Sequence, residues 1–236
     1  MTYCIGMVLN EGLIMAADTR TNAGIDHIAT FPKLFTFENI GERVIIIATS
    51  GNLATSQRVI SVLKQQIDRA EPLNLHSCDS MFQVAELVGE VLLNSESHYR
   101  VTNPMSAVDF TNNLLVGGQI KGQKAEMYHI YPEGNFIRTC TDTPFFQIGE
   151  SKYGKPILDR IITTETPLNQ AMKCALISFD STMHSNLSVG MPIDIVIYRL
   201  DSLEVKIERL EQDDRYFTRL AKAWGGGIRQ LFDQLP

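Results

Sequence analysis

The sequence of 236 residues lacks the features that mark several classes of protein. Its cysteines, Cys4, Cys78, Cys140 and Cys174, form no CxxC pair, so neither a zinc site nor a disulfide framework is indicated, and we expect reduced core thiols. The net charge of −6 disfavours a general nucleic-acid or anionic-membrane binder. No GxxxxGK[ST] loop occurs, so an ATPase acting with this protein would be a separate protein.

Long apolar runs are also missing. No stretch approaches the roughly 18 to 20 apolar residues of a membrane helix, and the N-terminus lacks the basic region and apolar run of a secretory signal. We therefore expect a cytoplasmic protein without a membrane partner. Nothing in the sequence supports a bound metal ion or other cofactor.

The first eighteen residues have the pattern of a β-hairpin. Residues 3–9 and 13–17 are β-rich and mostly apolar on both faces, and Asn10-Glu11-Gly12 has the chemistry of a turn. Thr2 stands just ahead of this hairpin. If Met1 is removed, Thr2 carries both a hydroxyl and a free α-amine, whose pKa of about 7.7–8.0 allows it to accept the hydroxyl proton. By itself, Met-Thr is an ordinary way for a protein to begin.

Further along the chain, runs of strands alternate with pairs of helices. Alternation and β-rich composition predict strands at residues 20–22, 33–37, 44–49, 106–117, 124–131, 136–140, 145–148, 193–198 and 203–207. Helical spacing predicts helices from residue 53 to before Pro72 and at residues 80–98, 152–162 and 168–184. This order is not an alternating βα pattern, and it indicates an α+β protein with sheets packed together and helices outside.

Short polar motifs follow the hairpin in an order similar to that of a known family. Lys33 and the pair Ser50-Gly51 come after the segment Asp18-Thr19-Arg20-Thr21-Asn22-Ala23-Gly24. With Thr2, they resemble the proteasome β-subunit and HslV family of N-terminal-nucleophile hydrolases, and more narrowly the Anbu group of bacterial proteasome-related peptidases. The resemblance spans nearly the whole chain and is strongest over residues 2–55. It implies a four-layer αββα sandwich and self-association into a ring or open spiral.

The resemblance also implies a catalytic group. Thr2 would be the nucleophile and its own amine the proton acceptor. Lys33 would lower the pKa of that amine by charge repulsion, while Asp18 would neutralise Lys33. Taken singly, Lys33 could be an exposed strand lysine and Asp18 a carboxylate that caps a turn.

Two further parts of a peptidase site are implied. A backbone amide at Ser50 or Gly51, where a strand meets a helix, would stabilise the oxyanion. Thr21 and Asn22 would offer strand edges to an extended peptide.

The supporting serines follow the family pattern less well. Where proteasome subunits carry Gly-Ser-Gly, this chain has Gly149-Glu150-Ser151, so Ser151 serves only if the loop shifts by one. Ser188 matches a family serine, but Ser185 replaces the acid that precedes it. The nearby Asp180 and His184 are more simply interpreted as polar groups at a helix end.

Residues 1–210 are expected to form one domain and residues 211–236 a C-terminal extension. In this extension Gly225-Gly226-Gly227 is interpreted as a hinge, followed by a helical tail with apolar residues at Ile228, Leu231, Phe232 and Leu235. The tail either packs on its own domain or docks on a neighbouring subunit, and the sequence favours neither.

The leading functional hypothesis is a threonine peptidase that cleaves peptide or protein substrates inside its own oligomer. One alternative is a small-molecule amidase or acylase with the same nucleophile. The other is a structural ring subunit with little catalysis, which the changes at Glu150 and Ser185 would fit.

Overall fold

A computed structural model of the chain describes residues 2–22, 28–102 and 105–236. The strands are β1 (Tyr3–Leu9), β2 (Gly12–Asp18), β3 (Arg20–Asn22), β4 (Ile28–Thr30), β5 (Leu34–Asn39), β6 (Arg43–Gly51), β7 (Asn112–Ile120), β8 (Glu126–Ile130), β9 (Phe136–Arg138), β10 (Phe145–Gly149), β11 (Ile193–Arg199) and β12 (Ile207–Leu210). The helices are α1 (Leu53–Asp68), α2 (Met81–Thr102), α3 (Lys155–Ile161), α4 (Leu168–Ser185) and α5 (Arg215–Phe232).

Two antiparallel sheets form the centre of the molecule. The first sheet has the order β10-β1-β2-β11-β12 and the second has the order β5-β6-β7-β8-β9. One apolar cluster, which includes Met15, Ile46 and Leu115, lies between the sheets. A second cluster joins the first sheet to α3, α4 and α5, and a third joins the second sheet to α1 and α2. The predicted four-layer αββα sandwich is confirmed.

The predicted N-terminal hairpin is confirmed. β1 pairs with β2 from Cys4 opposite Ala17 to Leu9 opposite Gly12. β1 is an inner strand, and its side chains alternate between the two apolar layers, with Cys4 toward the second sheet and Ile5 toward the helices. Because both faces are covered, the strand is apolar on both sides, as the sequence indicated.

Two predicted strands are wrong in their bounds because other parts of the fold bind their backbone. Residues 106–111 precede β7 as a loop, since the side chain of Thr55 donates to the carbonyl of Phe110 at 3.0 Å. The last strand is β12 rather than residues 203–207. The carbonyl of Leu203 instead accepts from Gly41 at 3.1 Å, so this segment runs along the β5–β6 hairpin.

Other corrections are local. The helix predicted to start at residue 152 begins at Lys155, and Cys140 is exposed rather than buried in the core. The glycine hinge at residues 225–227 is wrong as a break in the helix, since α5 runs through all three glycines from a cap at Asp214. Within the described ranges, none of the helices is both long enough and apolar enough to span a bilayer.

Candidate active site

The first strand and the end of the second meet at a buried carboxylate. Asp18 closes β2, and its Oδ1 accepts the backbone N–H of Tyr3 at 3.0 Å. The same oxygen accepts from Nζ of Lys33 at 2.9 Å. The amide that follows Thr2 and the ammonium of Lys33 therefore both lie within hydrogen-bonding distance of one atom. This geometry brings Thr2, Asp18 and Lys33 together at one end of the sandwich.

Lys33 is held between the two sheets. The residue is 5% exposed, and its Nζ also donates to the carbonyl of Arg20 at 2.6 Å. Its own carbonyl accepts from the backbone of Thr49 at 2.9 Å, which fixes the entry to β5 against β6. A buried ammonium with two acceptors on protein groups has little freedom to change its position.

Burial raises the pKa of the Asp18 carboxyl above its ordinary value. The Lys33 ammonium and the amides of Tyr3 and Gly190 oppose that rise, because all of them favour the ionised carboxylate. Burial also raises the pKa of the neighbouring Cys4 thiol, with a smaller contribution from Asp18 in the same direction. Cys4 is therefore a neutral thiol and not a competing nucleophile at neutral pH.

Backbone contacts on the other side of the chain hold Thr2. Thr2 is buried, and its carbonyl accepts from the amide of Glu150 at 2.7 Å. Gly149 has φ of 81°, and a Cβ built there would lie 2.0 Å from the Thr2 carbonyl oxygen and 2.9 Å from Oγ of Ser50. Only glycine allows this approach, which sets Thr2, Gly149 and Ser50 against one another.

Ser50 and Gly51 end β6 beside the start of α1. The side chain of Asn52 caps that helix by accepting from the amides of Ala54 and Thr55. The backbone of Asn52 donates to Oδ1 of Asn112 at 2.9 Å, which ties the strand end to β7. The expected oxyanion residues therefore lie at a helix N-terminus, where the helix dipole favours negative charge.

Ser188 lies in the loop of residues 186–190, which follows α4. Its amide donates to Oδ1 of Asn186 at 2.9 Å, and Nδ2 of Asn186 donates to the buried carboxylate of Glu150 at 2.8 Å. Nη1 of Arg20 donates to the carbonyl of Leu187 at 3.1 Å. The loop is thus hydrogen-bonded both to Arg20, two residues after Asp18, and to Glu150, whose amide binds the Thr2 carbonyl. Sequence analysis missed this use of Glu150 and Asn186, because no local pattern joins residues 36 positions apart.

The structure does not bring every expected residue to the same point. Ser151 lines a separate cavity of about 340 Å³ together with Gln147 and Lys155, and Thr2, Asp18 and Lys33 do not line that cavity. Ser185 ends α4 at the surface. Ser151 and Ser185, where the chain departs from the family pattern, therefore lie apart: Ser151 lines this cavity and Ser185 is at the surface.

The expected substrate edge is a short strand next to the site. β3 pairs with β4, with Thr21 opposite Ala29, and in the described part of the chain its other edge is unpaired. Oγ1 of Thr21 is buried without a hydrogen-bond partner among the described residues. The backbone of Asn22 belongs to this strand, whereas Ala23 and Gly24, which end the motif, lie outside the described residues.

Comparisons with known proteins were consistent in their result. The family model described as proteasome subunit matches residues 2–198. The structure of Anbu, the ancestral beta-subunit, from Yersinia bercovieri is 50% identical, with a TM-score of 0.93 over 100% of this chain and 98% of that one. No curated protein sequence matched.

Two further solved structures agree with that similarity. The helical assembly of the Anbu complex from Pseudomonas aeruginosa is 49% identical, with a TM-score of 0.94 over 100% of this chain and 97% of that one. An Anbu mutant from Hyphomicrobium sp. strain MC1 is 44% identical, with a TM-score of 0.93 over 100% and 98%.

Proposed function

This chain belongs to the proteasome subunit family, and from that premise we propose that it is a threonine-type peptidase with Thr2 as its nucleophile. The observation that carries the proposal is the shared oxygen of Asp18. It binds both the Lys33 ammonium and the amide of the residue that follows Thr2. A cation is thereby kept close to the start of the chain once Met1 has been removed.

The proposed reaction begins with proton transfer within one residue. The free amine of Thr2, directly or through water, takes the proton of its own hydroxyl, and the hydroxyl oxygen attacks the carbonyl carbon of the substrate. Asp18 compensates the positive charge of Lys33, and that charge favours the neutral form of the amine by like-charge repulsion. The amine then passes the proton to the leaving nitrogen of the substrate, and water releases the acyl group from Thr2.

The negative oxygen formed in this step needs a donor. We assign that role to the backbone amides at Ser50 and Gly51, beside the capped N-terminus of α1. The position of Gly149 supports this assignment, because its backbone lies against both the Thr2 carbonyl and Oγ of Ser50, and donor and nucleophile must face the same substrate carbon. Ser188 is proposed as a supporting group, because its loop is attached to Glu150 through Asn186, whereas Ser151 lines a separate cavity.

An extended peptide is the substrate that the neighbouring strand favours. The unpaired edge of β3 at Thr21 and Asn22 offers backbone donors and acceptors that a peptide can bind as an added strand. A small amide lacks the backbone needed to use that edge. We further propose that the chain self-associates, as the assembled relative from Pseudomonas aeruginosa does.

A covalent label tests the nucleophile. An electrophile that reacts with both the amine and the hydroxyl of an N-terminal threonine should add once to the wild-type protein after loss of Met1, as seen by intact mass. Thr2→Ala should not be labelled, while Thr2→Ser should be labelled and active. Thr36→Ala, a change on β5, serves as the matched control and should behave as wild type.

Parallel assays with short peptides and simple amides then test the substrate class. Cleavage of peptides over amides supports the proposal, and the reverse preference would favour a small-molecule amidase. Persistent labelling of Thr2→Ala, or no labelling and no cleavage by protein that has lost Met1, would show that the assignment is wrong.

A further inference from the structure

A cavity of about 470 Å³ lies between α1 and α2, in the helical layer outside the second sheet. Its volume is in the range of roughly 300–1,000 Å³ that is usual for small-ligand sites. Its apolar lining comes from Val62 of α1, from Leu87 and Val91 of α2, which are both buried, and from Pro72 and Leu73 between the helices. All the lining residues belong to these two helices and the loop that joins them, so the cavity is separate from the candidate active site.

Two polar side chains in this lining contain atoms without partners. Among the described residues, Nε of Arg58 and Oε1 of Gln66 are enclosed with no hydrogen-bond partner. The guanidinium of Arg58 also forms no ion pair within the described ranges. Enclosed polar atoms that lack partners are unfavourable. A ligand that draws both side chains into the cavity would remove that cost.

The two side chains are separated along the length of the cavity. Arg58 and Gln66 are eight residues apart on α1, which corresponds to about 12 Å along the helix axis. Helical side chains lean toward the N-terminus of their helix, so the two polar ends keep a similar separation.

Negative charge is placed away from Arg58. The amide of Glu71 donates to the carbonyl of Gln66 at 3.0 Å, so Glu71 lies at the Gln66 end of the cavity, which it also lines. Glu90 of α2 is a second carboxylate in the lining. In the part of the chain that the structure describes, neither carboxylate forms an ion pair. The cavity therefore offers a cation at one end, acceptors at the other and apolar surface between them.

A short peptide with two free ends matches this arrangement. A guanidinium binds a carboxylate through paired hydrogen bonds, whereas a carboxylate and an amide oxygen accept from an ammonium group. Three extended residues span roughly 10 Å, which is close to the separation of Arg58 and Gln66. An inorganic anion would use Arg58 alone and would lie in a cavity that also contains two carboxylates.

We propose that the cavity between α1 and α2 binds a peptide of about three residues by both of its ends. The peptide carboxylate binds Arg58, its ammonium group binds Gln66 and Glu71, and an apolar middle side chain packs on the lining of α2 near Val91. Such peptides are the kind of molecule that the proposed peptidase releases. The binding itself does not depend on Thr2 chemistry, so it stands or falls separately from the proposed function.

Calorimetric titration of full-length Thr2→Ala with the tripeptide Ala-Leu-Ala tests the site, since this variant leaves the peptide uncleaved. The C-terminally amidated tripeptide should bind about tenfold more weakly or worse, because it lacks the charge that Arg58 recognises. The N-acetylated tripeptide should bind about threefold more weakly or worse, because it lacks the ammonium group.

Variants in the same Thr2→Ala background show where the peptide binds. Arg58→Met should raise the dissociation constant of Ala-Leu-Ala by about tenfold and should no longer distinguish it from the amidated form. Lys64→Met is the matched control, since it removes the same charge from an exposed position of α1 outside the cavity. Glu71→Gln should no longer distinguish the free from the acetylated peptide, whereas Glu86→Gln, an exposed change on α2, should behave as the parent protein. Melting curves followed by circular dichroism check that each variant is folded.

The results that would overturn the proposal differ in what they exclude. Absence of Ala-Leu-Ala binding excludes the peptide site. Binding that Arg58→Met leaves unchanged places the peptide elsewhere, such as on the edge of β3. An amidated peptide that binds as well as the free one excludes recognition of the carboxylate. An acetylated peptide that binds as well excludes the small zwitterion and indicates the C-terminal end of a longer chain as the occupant. These comparisons of peptides are made on the unaltered cavity, so they remain decisive if a cavity variant fails to fold.

Discussion

Lys33→Met separates the stability of the buried ion pair from its proposed role in catalysis. Methionine keeps much of the volume of lysine but removes the charge that lies 2.9 Å from Oδ1 of Asp18. The variant leaves Asp18, which is fully buried, facing an unpaired carbonyl of Arg20. Removal of one partner from such a pair costs about 3–5 kcal/mol of unfolding free energy, because the remaining charge is uncompensated.

The pH dependence of this loss of unfolding free energy tests whether the Asp18 carboxyl causes it. Burial already raises the pKa of Asp18, and loss of the ammonium raises it further. In Lys33→Met the folded state then holds a proton on Asp18 that the unfolded state releases above the ordinary aspartate pKa. The variant should therefore lose stability as pH rises from about 4 to 8. Urea unfolding at fixed protein concentration across this range measures the effect.

The double variant Asp18→Asn/Lys33→Met supplies the control. Asparagine keeps an oxygen for the amide of Tyr3, and no charge remains buried, so the double variant should lie within about 2 kcal/mol of wild type. In both variants the rate of labelling at Thr2 should still fall by about 100-fold or more. The reason is that the charge of Lys33 no longer favours the neutral Thr2 amine that accepts the proton. A single variant that costs under about 1 kcal/mol, or a double variant as unstable as the sum of its singles, would refute the reasoning.

Two other positions give direct tests. Gly149→Ala should lower the free energy of unfolding by about 3 kcal/mol or more and reduce labelling of Thr2, because its Cβ would overlap the Thr2 carbonyl. Gly122 has φ of 77° but open space around it. Gly122→Ala should therefore cost only about 1 kcal/mol and leave labelling unchanged. Burial lowers the pKa of His129 to about 4, so protonation of the unfolded chain should remove about 2 kcal/mol of stability between pH 6.5 and 4. His129→Gln should flatten that part of the urea-derived stability profile. Equal costs for the two glycines, or an unchanged slope, would contradict these expectations.

Local patterns predicted the parts of the fold that local forces decide. The hairpin of β1 and β2 and the helix α4 were placed within two residues of their observed bounds, since periodicity and turn chemistry act over short distances. The errors lie where distant groups bind the backbone. Glu38 accepts from the amide of Val205 at 3.2 Å, for example, so the alternation around Val205 does not make a strand there.

The residues of the candidate site also divide into those that the sequence predicts and those that it does not. Asp18 and Lys33 stand out in the sequence as charged residues beside apolar strands, and their pairing followed from a family resemblance that is strongest over residues 2–55. Glu150, Asn186 and Gly190 carry no comparable signal. Their contacts with the segment around Thr2 arise only when the loop after α4 packs against the end of the first sheet.

The Asp18 carboxylate contacts residues that are far apart in the chain, and this determines when the site can form during synthesis. This side chain contacts Tyr3 close by in the chain, but it also meets the amide of Gly190, and β2 pairs with β11 as far as Arg199. A polypeptide still on the ribosome and shorter than this has its first hairpin but neither the strand nor the loop that completes the surroundings of Thr2. The surroundings of Thr2 are therefore complete only after most of the chain has been translated.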